Sequence, residues 1–110
     1  MTMISTFPTS VTLALNGTTT SAASLGGRSL VGIRLPADFD GTAITFTECD
    51  TLAGTYVAVY DVGGASAYSV TVGTSRYVPV NPRVFDGIVY LKLVSGTAQD
   101  PATTITLVTR

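Results

Sequence analysis

Histidine and tryptophan are absent from this chain of 110 residues, and cysteine occurs once, at Cys49. Without histidine, a Ser–His–Asp or Cys–His catalytic arrangement cannot form, and metal sites built on clusters of cysteine and histidine are excluded. One cysteine cannot form an internal disulfide, so no oxidising compartment is implied. We interpret Cys49 as a small apolar residue that fills space on a strand rather than as a reactive thiol.

Charged residues are scarce as well. They make up 12% of the chain, whereas about 25% is usual in globular proteins. Lys92 is the only lysine and Glu48 the only glutamate, while threonine occurs nineteen times. Neutral residues must therefore cover the outer faces of the fold, which favours a surface that packs against other subunits. The net charge of −1 provides no positive field for a phosphate backbone, so nucleic acid is not expected as a partner.

Long apolar runs are also missing. The most hydrophobic stretches span five to eight residues, whereas a helix that crosses a bilayer needs about 20. Residues 1–10 lack the basic start and apolar middle of a signal peptide, so we expect synthesis in the cytoplasm and no membrane partner. Residues 1–9, with Phe7 and Pro8, are predicted to be an extended arm before a single domain over 10–110. The arm is either a disordered terminus or a segment that docks on a neighbour.

Short runs in which apolar and small polar residues alternate fill most of the chain, separated by glycine, proline, aspartate and asparagine. Eight such runs cover 11–15, 29–35, 44–47, 56–60, 68–72, 76–80, 88–94 and 103–109. This rhythm predicts an all-β fold, an antiparallel β-sandwich of jelly-roll type, and not alternating strands and helices. The segment after Asn81 and Pro82 predicts one helical turn, with Phe85 packed inward and Gly87 closing it.

Asp38 and Asp40 stand in an Asp-x-Asp-Gly turn that is similar to the start of a calcium loop. Thr42 and apolar residues follow where further ligands should stand. We therefore favour a turn whose aspartates bind backbone N–H groups, and predict no metal site. Residues 95–102 are expected to form an exposed hairpin tip. The sequence offers no cofactor site and no catalytic pair, so no enzymatic activity is expected.

Aromatic residues are the best candidates for a binding surface, since tyrosine is enriched at protein interfaces. Three of the five tyrosines, Tyr56, Tyr60 and Tyr77, are predicted interface residues together with Phe7 and Pro8. The alternative is that the tyrosines are half-buried strand residues, a position that tyrosine also favours.

Several strand and turn segments stand in a recognisable order. They are LVGIRLP at 30–36, ITF at 44–46, GTY at 54–56 and VYD at 59–61, followed by RYVPV at 76–80, FDG at 85–87, YLKL at 90–93 and SGT at 95–97. Over roughly residues 22–110 the chain thereby resembles short virion structural proteins of tailed bacteriophages. The resemblance implies a jelly-roll-like subunit of the particle: a capsid decoration (cement) protein, or a component of a head or tail fibre. It implies no catalytic residues.

Two functional hypotheses follow. The first is a virion protein that decorates the outer head surface and stabilises capsomer junctions, with the major capsid protein or other virion proteins as partners and a homotrimer as the favoured oligomer. The second is a carbohydrate-binding sandwich module of a phage tail or cell-surface protein, since the closing strands also resemble those of galactose-binding-like sandwiches. Its site would lie at a loop end with Asp38, Asp40 and Asp100, although tryptophan, the usual platform for a sugar, is absent.

Overall fold

Two antiparallel sheets pack face to face in the computed structural model, which describes residues 6–110. The strands are β1 (Phe7–Leu13), β2 (Ala23–Ser24), β3 (Leu30–Leu35), β4 (Ala43–Cys49), β5 (Val57–Ala58), β6 (Ser69–Thr71), β7 (Arg76–Pro79), β8 (Tyr90–Ser95) and β9 (Thr103–Thr109). The all-β sandwich expected from the alternating residues is confirmed. Within 6–110, no helix has the length and apolar character that crossing a bilayer requires.

The order of the strands is that of a jelly roll. One sheet runs β1-β9-β3-β7, and the other runs β2-β8-β4-β5, with β6 also paired to β4. β5 pairs with Thr47 and Glu48 of β4, whereas β6 pairs with 43–45 at the opposite end of the same strand. β5 and β6 are therefore two parts of one interrupted strand. Strands pair from the two ends of the chain inward: β1 with β9, β2 with β8, β3 with β7, and β4 with β5 and β6. This nested antiparallel pairing is that of a long hairpin whose paired strands are distributed over two sheets.

The core lies between the two sheets and receives every second residue of the long strands, as the pattern predicted. At its centre the Phe46 ring meets the Phe85 ring edge to face, with 4.9 Å between centroids and 82° between planes. Phe85 is carried by a 3₁₀ turn, Pro82–Phe85, in which the Asn81 side chain accepts a hydrogen bond from the Arg83 N–H. The helical turn expected after Asn81 is thus confirmed.

The domain begins earlier than predicted. Phe7, Pro8 and Thr9 are the first residues of β1, where they pair with Thr109, Val108 and Leu107 of β9. Their assignment to an arm ahead of the domain is corrected, because β9 offers them a full backbone partner. The predicted arm is left with residues 1–5, which lie outside the described residues, and Thr6. The short strand β2 was not expected from the sequence.

Residues 95–102 differ from the exposed tip that their polarity suggested. Gln99 is completely buried and Ser95 is 2% exposed. The Gln99 backbone bonds to the turn after β1, accepting from the Asn16 N–H at 2.7 Å and donating to the Gly17 oxygen at 3.2 Å. The segment is therefore fastened to the sandwich at Gln99, while its neighbours on either side remain exposed.

Candidate interaction surface

The outer face of the four-stranded sheet is almost uncharged. Successive side chains of a strand point to opposite sides of the sheet, so every second side chain of each of the four strands points outward. These outward residues are Pro8, Ser10, Thr12, Gly32, Arg34, Tyr77, Pro79, Thr104, Thr106 and Val108. Arg34 is the one charged side chain among them. We call this surface the Thr/Pro face; it is polar but neutral over most of its area.

Tyr77 lies across the Thr/Pro face instead of pointing away from it. Its hydroxyl reaches over β3 and donates to the Val31 oxygen at 3.5 Å. Its ring fills the space above Gly32, where a β-carbon would overlap the phenol. The Arg34 guanidinium, directly opposite Tyr77 in the register, lies 5.4 Å from the ring centroid. Tyr77 is nevertheless 46% exposed, so one side of the ring is available for contact.

Pro8 belongs to the same surface as Tyr77. Adjacent strands place Pro8 beside Val108, Val108 beside Gly32 and Gly32 beside Pro79. With the Tyr77 ring above Gly32, these residues make an apolar row across all four strands. The apolar row and its threonine surroundings form a sheet surface with one charged side chain, Arg34.

Phe7 lies at the rim of the sandwich and not on the Thr/Pro face. It shares the inward orientation of Val11 and Leu13 but lies where the two sheets end, and it is 43% exposed. The Arg28 guanidinium stacks on the ring at 3.7 Å from its centroid. This stacking covers one side of an aromatic ring that would otherwise face water.

Tyr56 and Tyr60 are on the other sheet. The Tyr56 hydroxyl donates to the Leu52 oxygen at 2.9 Å, and the Lys92 ammonium lies 4.2 Å from the ring centroid. Partial burial raises the pKa of the Tyr56 phenol above 10.0, and the nearby Cys49 and Tyr90 groups add to this increase. Tyr60 is 52% exposed in a hairpin between β5 and β6. The predicted interface residues therefore do not form one patch; Pro8 and Tyr77 alone share a surface.

Cys49 lies on the outer side of β4, yet it is only 8% exposed. The loop after β4 folds over it, so that Gly54 sits directly above the thiol and a β-carbon there would overlap the sulfur. The Thr51 hydroxyl is 3.7 Å from the Cys49 sulfur. This geometry agrees with a cysteine that fills space under a loop.

Asp38, Asp40 and Asp100 lie in the β3–β4 and β8–β9 loops, and a hydrogen bond between these loops uses the Asp40 carboxylate. The Asp40 carboxylate accepts a backbone N–H, that of Asp100, at 2.9 Å. The donor is 60 positions away in sequence, so this bond joins two loops and is not the bond within the turn that the sequence predicted. Asp38 is exposed. Among residues 6–110, no three carboxylate, cysteine or histidine groups come together as metal ligands. The residue that sequence reasoning missed here is Gln99, which organises this end of the sandwich from a buried position.

A cleft of about 250 Å³ opens at the opposite end, between the loop before β3 and the loop before β8. Arg28 and Asp86 line it with one positive and one negative charge, and Ile88 contributes an apolar wall. The Ser29 hydroxyl donates to one oxygen of the Asp86 carboxylate. The cleft can therefore offer donors and acceptors to a neutral polar molecule.

Comparison with protein-family models gave no match, and comparison with curated proteins gave none. Among solved structures, the chain is similar to the SPBc2 prophage-derived protein YomS, with a TM-score of 0.55 and 16% sequence identity. The similarity covers 100% of this chain and 99% of the YomS chain. At this identity the two proteins share a fold over their whole length.

Proposed function

We propose that this chain is a structural protein of a bacteriophage particle, and within that class a decoration protein that binds the outer surface of the head. The observation that carries the proposal is the Thr/Pro face, a sheet surface with an apolar row and a single charge, Arg34. Protein interfaces are depleted of charge at their centres, since charges must be stripped of water on contact. The full-length fold similarity to a prophage-derived protein supports the phage setting.

In this role the protein acts through contact and not through catalysis. The Thr/Pro face would lie against the major capsid protein or another virion protein, with Pro8 and Tyr77, from the two outer strands of the sheet, in the contact. Each contact can be weak, because several copies joined in one oligomer raise the effective affinity by about 10²–10⁴-fold. A decoration protein built in this way stabilises capsomer junctions by bridging them.

The proposal is tested with particles that lack the protein. Ser10→Glu with Thr104→Glu places two charges on the Thr/Pro face at exposed positions. We expect the concentration that half-occupies the particles to be about tenfold higher for this variant than for the native protein, since a loss of about 1.4 kcal/mol in binding free energy has that effect. Ala65→Glu with Ser66→Glu, in the exposed hairpin, is the matched control and should bind normally. Native-like binding by the first pair, or no binding by the native protein, would contradict the proposal.

Carbohydrate binding is the second candidate function, and the cleft between Arg28 and Asp86 is the observation that favours it. This site differs from the predicted one at Asp38, Asp40 and Asp100, where Asp40 already accepts a loop hydrogen bond. Saturable binding on a glycan array that is lost on Asp86→Ala and kept on Asp38→Ala would support this function over decoration of the head.

A further inference from the structure

Three of the four sheet edges carry features that block pairing with another strand. β1 has Pro8, which lacks an N–H, and β7 has Pro79 together with Arg76. β2 is only two residues long. Prolines, charged residues and very short strands at edges are the devices by which proteins prevent unwanted strand addition.

The fourth edge is formed by β5, which is as short as β2, and by β6, which has three residues. Together they pair with five residues of β4, and neither strand carries a charge or a proline. Residues 51–75 contain neither proline, lysine nor arginine, and Asp61 is their only charged residue. Both Ser69 and Thr71 of β6 are exposed. The Val72 N–H donates to the Thr42 oxygen on the β4 side at 2.9 Å. Since bonding sides alternate along an antiparallel strand, the backbone groups of Ser69 and Thr71 point away from β4.

We propose that two copies of this chain pair through β6, antiparallel across a two-fold axis that passes near Val70. In this register Ser69 of each copy lies opposite Thr71 of the other, and the five-stranded sheet continues from one subunit into the next. A two-fold axis brings identical surfaces together, so any charge near the axis would face its own copy. The uncharged β6 edge avoids this repulsion, and small hydroxyl side chains form favourable cross-strand pairs.

This pairing yields a dimer, in contrast to the trimer that the sequence favoured. It also uses a sheet edge, so the Thr/Pro face of each copy remains free for another partner. The inference goes beyond the proposed function, because it concerns how copies join and does not depend on a phage particle.

The test measures the mass of the full chain in solution by analytical ultracentrifugation over a range of concentrations. We expect the native protein to be a dimer. Ser69→Lys with Thr71→Lys sets lysines opposite lysines, and we expect the dissociation constant to rise by about tenfold or more. Ser10→Lys with Thr12→Lys, on the edge strand β1, is the matched control and should leave the dimer unchanged.

A charge-reversal experiment separates pairing from misfolding. Mixing the double-lysine variant with Ser69→Glu and Thr71→Glu chains should restore a dimer of one copy of each, since unlike charges now stand opposite each other. Failure to restore it, with both variants folded by circular dichroism, would overturn the proposal. So would a native protein that is monomeric or trimeric at every concentration, whatever its occupancy on particles.

Discussion

The Gln99 side chain and the Asp40 backbone form two hydrogen bonds across 59 positions of sequence. The Gln99 side-chain amide Nε2 donates to the Asp40 backbone oxygen at 2.7 Å, and the Asp40 backbone N–H donates to the Gln99 side-chain oxygen Oε1 at 3.0 Å. The same amide also donates to the Thr97 oxygen at 2.9 Å. A buried glutamine with its polar atoms satisfied in this way holds the β3–β4 and β8–β9 loops in one arrangement.

Replacing Gln99 with leucine should therefore lower the stability of the protein substantially. Leucine has a similar volume but leaves the partly buried Asp40 N–H without its partner. It also removes the hydrogen bonds that the Gln99 amide donates to the Asp40 and Thr97 backbone oxygens, for which the Ser95 hydroxyl remains as a donor. We expect a loss of about 2–4 kcal/mol in the free energy of unfolding, measured by urea denaturation. Ala98→Leu, at the exposed neighbouring position, should change it by less than about 0.5 kcal/mol. Equal effects of the two changes would show that the Gln99 hydrogen bonds contribute little.

Tyr77 contacts Gly32, and this contact predicts that the effect of Gly32→Ala on the free energy of unfolding changes sign when Tyr77 is replaced by alanine. Gly32→Ala should destabilise the native protein by about 1 kcal/mol, because the new methyl displaces the Tyr77 ring from the sheet. After Tyr77→Ala the space is free, and the same Gly32→Ala change should stabilise by about 0.5–1 kcal/mol through the lower entropy of the unfolded chain. Thermal or urea unfolding of the four proteins measures both effects. An effect of Gly32→Ala that does not depend on residue 77 would contradict the contact.

Truncation of Phe85 should be among the most damaging single changes. Its ring is completely buried and meets both Phe46 and Tyr68, the latter at 5.7 Å between centroids. Phe85→Ala should lower the free energy of unfolding by about 3–5 kcal/mol. Val84→Ala, one residue away on the same 3₁₀ turn but only half-buried, should lower it by about 1 kcal/mol or less. Similar losses for the two variants would argue against Phe85 as the anchor of this turn.

The raised pKa of Tyr56 predicts a loss of stability at high pH. The folded state raises the pKa of its phenol above 10.0, chiefly through partial burial, while the unfolded chain keeps a value of about 10. The contribution of Tyr56 is therefore present below pH 10 and is lost as the pH rises through the raised pKa. Tyr56→Phe should make unfolding less dependent on pH in this range. The tyrosinate absorbance of the native protein minus that of the variant reports the Tyr56 pKa, and a midpoint at or below 10.0 would refute the increase.

Strand positions were largely predictable because the alternation of apolar and polar residues acts within each strand. Val11 and Leu13, or Leu91 and Leu93, face the core for this reason. The 3₁₀ turn at Pro82 could be predicted from its local asparagine, proline and glycine. β2 escaped prediction because a strand of two residues shows no period. No local signal distinguished Phe7 and Pro8 of β1 from an arm, since only their pairing with β9 makes them a strand.

The candidate surface was predicted less well. Pro8 and Tyr77 were predicted as interface residues, and their common surface depends on β1 and β7 belonging to one sheet. Tyr56 and Tyr60 belong to the other sheet, and nothing in their sequence spacing could separate them from Tyr77. Gln99 gave no signal, because a polar residue in a polar loop looks exposed until its distant partners are known.

The amino-acid sequence alone determined that this chain forms two-faced strands, that its surface is poor in charge and that its histidine-based chemistry is excluded, because composition and period-two patterning are properties of the chain itself. Only the tertiary structure decided which strands pair, which strands lie at the sheet edges and that Gln99 is buried. Those properties depend on contacts such as Gln99 with Asp40, between residues that are far apart in sequence and meet only when the nested strand pairs close.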